Sequence, residues 1–187
     1  MRSIIVVLLL IYSSLSLAEE ATQSFNCDIN KVQTKDFSED MFGYEQSDYE
    51  RVFPEWFSKA KAGDKKYQFY VAKAYYFGQG VAKNKKRSLQ WYTKSSDQGY
   101  AIAKNNLSFF YTDGQILDQD LDKHFELLCD AAISGFSMAT YNIYRFYYDY
   151  FGDEKLSFSW AMKSATQGFS SGINDVGWMY GSGFGVD

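Results

Sequence analysis

One proline and one histidine occur in the whole chain of 187 residues. So little proline disfavours a protein rich in loops or linkers. With His124 alone, any Ser–His–Asp or Cys–His arrangement would depend on that one ring as its base. Basic charge is also short. Nineteen Lys and Arg against 23 Asp and Glu leave a net charge of -4, without the basic footprint that nucleic-acid binding needs. Cysteine is limited to Cys27 and Cys129. After residue 18, no stretch is apolar enough to cross a membrane.

Aromatic residues are abundant, at 19%, with 16 Tyr and 16 Phe. Hydrophobic residues reach 46%, enough for a packed core, and the length suits one domain. Many rings beside one proline point to helices with large side chains packed between them.

The N-terminus reads as a targeting segment. Arg2 supplies a positive start, and "IIVVLLLI" (4–11) is an apolar run too short for a mature spanning helix. Ser16 and Ala18 then place small residues where a signal peptidase needs them. This predicts a signal peptide over 1–18 with cleavage after Ala18, a periplasmic or secreted protein, and no membrane span once the leader is removed. In such an oxidising compartment Cys27 and Cys129 can pair, closing a long loop. Otherwise they are two separate thiols, with Cys129 buried on a helix. Residues 19–47 do not repeat; they are polar and acidic, and read as an extended segment lying against the first helices. Pro54 is expected in the first turn of the first clear helix.

Residues 48–187 repeat. Gly63, Gly99, Gly135 and Gly168 recur at spacings of 36, 36 and 33 residues. Three and four positions before them stand small or short residues such as Ser95 and Ser96, Ala131 and Ala132, Ser164 and Ala165. Eight before them stand Trp91, Leu127 and Trp160, with Trp56 shifted by one in the first copy. Twelve after them comes tyrosine every time, Tyr75, Tyr111, Tyr147 and Tyr180, each expected to bury its ring and keep its hydroxyl for a partner. A second set of glycines, Gly78, Gly80, Gly114 and Gly183, follows the tyrosines. The apolar positions share one face of a 3.6-residue helix. Each unit is therefore a pair of antiparallel helices of about a dozen residues, with glycines at the turns. One such hairpin cannot bury its own apolar face, so the units must stack.

The stretch "YYFGQGVAKNKKRSLQWYTKSSDQGYAIAKNNLSFFYTDG" (75–114) resembles the Sel-1-like repeats, relatives of the tetratricopeptide repeats. It carries the Gly-x-Gly-Val turn (Gly78, Gly80, Val81), Trp91, the small pair and Gln-Gly. The resemblance covers roughly residues 50–187. It implies an all-α fold, an α/α solenoid coiled as a right-handed superhelix of antiparallel helix pairs, with about three to four pairs and the last incomplete. The third copy departs from it, since "DYFGDEKLSF" loses three residues and the Gly-x-Gly-Val turn. The closing "YGSGFGVD" aligns Gly183 on Gly78 and Gly185 on Gly80. It is a turn between helices and lacks the spacing of a dinucleotide loop. The second helix of the last pair is not reached, so an uncapped end is expected, through which the chain could self-associate.

No catalytic, metal-ligating or cofactor-binding constellation is read from the sequence. His124 is expected to be a partly exposed helix residue. Asp118, Asp120 and Asp122 alternate like a calcium loop, but the sixth and twelfth positions are Lys123 and Cys129 instead of Gly and Glu. They read as carboxylates at a helix start.

The resemblance implies that the first helix of each pair lines a concave side. The outward positions there give a candidate partner-binding surface of Phe69, Lys73, Tyr76, Phe109, Tyr141, Arg145, Tyr148 and Trp178. Its mix of aromatic rings and arginine has the composition of a protein-recognition surface. The expected function is a non-enzymatic module or scaffold binding a protein or peptide, with no nucleic acid and no cofactor. Two alternatives stand beside it: an envelope immunity or inhibitor protein against a toxic effector, and a cell-wall ligand binder or hydrolase. A branch of the family with cysteine pairs in each repeat resembles penicillin-binding proteins in ligand. With two cysteines in all, this chain departs from that branch.

Overall fold

The computed structural model describes residues 25–35 and 46–185. The signal-peptide reading of residues 1–18, with its cleavage after Ala18, lies outside the described residues, as do Val186 and Asp187.

Among the described residues, eight α-helices follow one another. They are α1 (Gln46–Lys61), α2 (Lys65–Phe77), α3 (Lys85–Asp97), α4 (Ala101–Ser108), α5 (Leu121–Ile133), α6 (Ser137–Phe146), α7 (Glu154–Thr166) and α8 (Ser170–Ser182). A 3-10 turn (Phe109–Tyr111) extends α4, and a π-helical turn (Tyr147–Phe151) extends α6. No strand occurs among the described residues. Each helix packs chiefly on the next in the chain, α1 on α2 through to α7 on α8. That is the contact pattern of an α/α solenoid.

Local chemistry sets the helix starts. Asp64, Asn84, Asp120 and Asp153 each accept a first-turn backbone N–H, capping α2, α3, α5 and α7. The acidic run 118–122 thus contributes the cap of α5. Small residues let paired helices close up. Ser95 is fully buried and its hydroxyl donates to the Lys65 carbonyl at 2.7 Å. Ser164 repeats this toward Ser137 at 3.4 Å.

The Gly-x-Gly turn does two jobs. Gly78 ends α2 in the left-handed region (φ 78°), its N–H donating to the Ala74 carbonyl. Gly80 (φ 67°) lies against the backbone of α1, where an added Cβ would collide with the Tyr49 carbonyl. Gly183 and Gly185 copy the pair, the first capping α8 and the second lying against the Glu154 carbonyl of α7. The other expected turn glycines, Gly63, Gly99, Gly114, Gly135 and Gly168, also have positive φ.

Three expectations need correction. Pro54 sits in the interior of α1 and not in its first turn. The helix starts earlier because Tyr49, Trp56 and Ala60 bury one face of it, and the exposed Glu50 carbonyl left without a donor by Pro54 can turn to water. The repeat tyrosines are buried in Tyr75 and Tyr147 but not in Tyr180, because α8 has no described helix beyond it. Finally, the described part of the N-terminal segment, from Phe25 to Gln33, is anchored on the third helix pair and its flanks, not on the first helices.

That placement has specific anchors. The Phe25 ring enters a cluster of Phe125, Phe146 and Phe151, at centroid distances of 5.5, 5.0 and 5.6 Å. The Tyr147 hydroxyl donates to the Phe25 carbonyl, and Gln167 donates to the Gln33 carbonyl. Cys27 and Cys129 form a disulfide across 102 residues of sequence, with Cα atoms 5.6 Å apart. Every strong helix contact is local in sequence, so this bond is the main covalent tie between distant parts of the array. A crosslink closing a loop of this length stabilises by about 4–5 kcal/mol in the chain-entropy model. Replacing both cysteines by alanine should lower the unfolding free energy by about 2–5 kcal/mol, visible as an earlier urea midpoint. An unchanged midpoint would show that the latch adds no stability.

Candidate functional site

The sequence nominates eight surface residues, and the structure gathers six of them into two clusters. Phe69 is not a surface residue. It is 4% exposed and packs between Tyr92 and Tyr100, with ring centroids at 5.9 and 5.5 Å. Its position in α2 faces the next helix pair, as does the equivalent Asn105 of α4, which is 1% exposed. Lys73 is half-buried on α2. The other six fall into two clusters.

The first cluster is a cleft of about 190 Å³ between the C-terminal ends of α2 and α4. Tyr76 and Phe77 supply one wall, and Tyr92 of α3 closes behind them. Asn106, Phe109, Phe110 and Asp113 supply the other. Tyr76 packs edge-on to Phe77 at 4.9 Å and to Phe110 at 5.8 Å, so aromatic contacts hold the walls together. Phe77 is 59% exposed and Phe109 43% exposed. Two large rings thus stand in water at the mouth. The polar groups are few and mutually engaged. Asn106 donates to the Tyr92 hydroxyl at 3.3 Å, and burial pushes the Tyr92 phenol well above its ordinary pKa, so it stays neutral. At the rim Lys85 pairs with Asp113 at 3.3 Å and donates to Gln115 at 2.7 Å.

The second cluster joins α6 to α8. The Tyr141 hydroxyl donates to Asp175 at 2.9 Å. Burial, then this carboxylate, raise the Tyr141 pKa. Arg145 grips Asp149 through two nitrogens, at 3.0 and 3.3 Å, and lies 5.7 Å from the centre of the Tyr148 ring. Phe184 bridges Tyr148 and Trp178, at 5.4 and 5.7 Å. Between the clusters runs a ladder of amides. Asn142 of α6 donates to Asn105 at 2.8 Å, and Asn105 donates to Asn106 at 3.2 Å. Hydrogen bonds therefore connect the α6 side of the surface to the wall of the cleft.

The cleft residues Phe77, Tyr92, Asn106, Phe110 and Asp113 were not among the nominated positions. Phe77 carries no repeating signal; it stands with Tyr76 between the recurring Tyr75 and the capping Gly78. His124 is also displaced from expectation. It is 4% exposed, flanked by Phe109 and Phe146 at 5.4 and 5.8 Å, and its Nδ1 donates to the Ser108 carbonyl at 3.0 Å. It bridges α5 to the end of α4, so its role is that of a packed core histidine. Among the described residues no group of His, Cys, Asp and Glu is arranged to hold a metal ion, and no helix is long and apolar enough to cross a membrane.

Residues 66–100 and 101–135 each match the Sel1 repeat family model. In structure the chain is similar to a Sel1 repeat protein from Oxalobacter formigenes, at 27% identity and a TM-score of 0.58, over 67% of this chain and 97% of that one. The chain carries two Sel1 repeats. It is also similar to c5321, a protective antigen present in uropathogenic Escherichia coli strains that displays an SLR fold. That match has 26% identity and a TM-score of 0.64 over 71% of this chain, and it spans 29% of c5321. No curated protein matches the sequence.

The two matched Sel1 repeats are α2–α3 and α4–α5, and the cleft lies at their junction. Tyr76, Phe77 and Tyr92 come from the first repeat, and Asn106, Phe109, Phe110 and Asp113 from the second. The His124 bridge is internal to the second Sel1 repeat, and it makes a pH test of that repeat's packing. Burial holds the His124 pKa below its ordinary value near 6.5. The unfolded chain then binds a proton that the folded chain refuses. Its contribution to stability is complete above about pH 6.5 and declines as the pH falls below it. The loss of thermal midpoint between about pH 7.5 and pH 5 should be smaller in His124→Phe than in the parent chain. Equal losses would remove His124 from the pH response.

Proposed function

We propose that this Sel1-like repeat protein is an exported, non-enzymatic scaffold that binds a protein or peptide partner along the surface shared by α2, α4, α6 and α8. One observation carries the proposal. At the junction of the two matched repeats, an aromatic cleft leaves Phe77 and Phe109 59% and 43% exposed, and neither ring belongs to the buried hydrophobic core, although Phe109 touches the buried His124. Clustered exposed rings with a polar rim are the usual anatomy of a recognition site. The amide ladder and the Tyr141–Asp175 and Arg145–Asp149 pairs continue that surface toward α8. The Cys27–Cys129 bond supports the exported reading, because such bonds persist in oxidising compartments. The non-enzymatic reading rests on the chemistry of the candidates, since the one histidine is buried in the packing.

Affinity capture from envelope extracts of the source cells tests the proposal. The parent chain should retain a protein partner. Phe77→Ala/Phe109→Ala should reduce that capture by at least about tenfold, with only a small loss of thermal midpoint from the Phe109–His124 contact, because both rings lie outside the buried core. Phe69→Ala should do the opposite, lowering the midpoint through a core cavity. Retention of a small ligand with no protein partner would overturn the scaffold reading.

A further inference from the structure

The cleft between the two matched repeats is small, and its charges are already matched. We propose that it takes a single uncharged aromatic side chain of the partner, a tryptophan or tyrosine. This rests on the scaffold reading above and names the chemistry that its surface selects.

Size limits the occupant first. About 190 Å³ lies below the range of roughly 300–1,000 Å³ typical of small-molecule sites, and suits one large side chain. Charge limits it next. Asp113 and Lys85 form an ion pair at the rim, with side chains only 25% and 26% exposed. Lys85 Nζ also lies 5.6 Å from the centre of the Tyr76 ring, so the protein's own ammonium fills the place a cation would seek between ring and carboxylate. An incoming arginine or lysine must displace Lys85, and an incoming carboxylate must displace Asp113. Either leaves a half-buried charge without its partner. A neutral occupant disturbs neither.

The walls then choose among neutral side chains. Tyr76, Phe77 and Phe110 already meet edge to face, and an inserted ring extends that packing while covering Phe77 and Phe109. The half-buried Asn106 amide, which donates to the buried Tyr92 hydroxyl at 3.3 Å, stands on the lining as the polar group for an indole N–H or a phenol. An aliphatic side chain would leave that polar edge unused.

Isotope-labelled full-length mature chain, titrated with N-acetyl-tryptophanamide, N-acetyl-tyrosinamide, N-acetyl-leucinamide and N-acetyl-argininamide, decides the matter by NMR. The aromatic amides should shift the Asn106 side-chain and Asp113 backbone signals saturably. They should bind at least about fivefold more tightly than the leucine or arginine amides. Phe77→Ala/Phe109→Ala, folded by the same spectra, should weaken aromatic binding at least about tenfold. Lys85→Met, which frees Asp113, should raise the arginine amide's affinity severalfold. An arginine amide that binds the parent chain as tightly as the aromatic amides would overturn the proposal. So would the absence of any saturable aromatic shift at Asn106 or Asp113. Partner capture that depends on Phe77 and Phe109 without aromatic-amide binding would leave the scaffold reading standing and remove this inference alone.

Discussion

The backbone of Gly80 runs so close to the Tyr49 carbonyl that no Cβ fits between them, and Gly185 meets the Glu154 carbonyl in the same way. This approach of a turn to a neighbouring helix fixes how one helix pair sits on the next. Within a pair, the buried hydroxyls of Ser95 and Ser164 fix the separation by donating to backbone carbonyls of the facing helix. Larger side chains at these places would force the helices apart. At the junction of the next pair the ends of α2 and α4 lie side by side, and the rings of Tyr76 and Phe110 meet across the gap. The cleft is therefore a consequence of stacking, and neither repeat contains it alone.

A stack built from neighbour contacts has no long-range tie of its own. Here residues 25–35 provide one. Phe25 fills an aromatic cluster made by α5, α6 and its π turn, and the bond to Cys129 holds the segment in place. The third repeat is the one that departs from the sequence pattern, and it is also where this segment docks. The π turn carries Tyr147, whose hydroxyl meets the Phe25 carbonyl. An irregular repeat and a docked segment thus belong to one local arrangement.

The helices and their turns were legible because glycine, tyrosine and the small pairs recur in register. The parts that misled reasoning have a common cause, which is that periodicity describes one helix while burial depends on its neighbours. Phe69 looked outward on the wheel of α2, yet α3 and α4 enclose it with Tyr92 and Tyr100. His124 looked like a helix-surface residue, yet the end of α4 supplies a carbonyl for its ring. Phe77 drew no attention because it falls on no repeating position. The docking of residues 25–35 has no periodic signature, so only the full structure places it. Tyr76 and Phe109 were nominated from sequence and meet in the cleft, whereas the Lys85–Asp113 pair that sets its charge joins residues 28 positions apart.

The central claim is that the inter-repeat cleft is where this Sel1-like array meets another protein. The most direct measurement places a photo-crosslinking phenylalanine analogue at Phe77 and, as a control, at Thr93, exposed on α3. After illumination of intact cells, the account predicts a discrete adduct with a second protein from position 77 and none from position 93. Adducts of equal yield from both positions, or from position 93 alone, would contradict it.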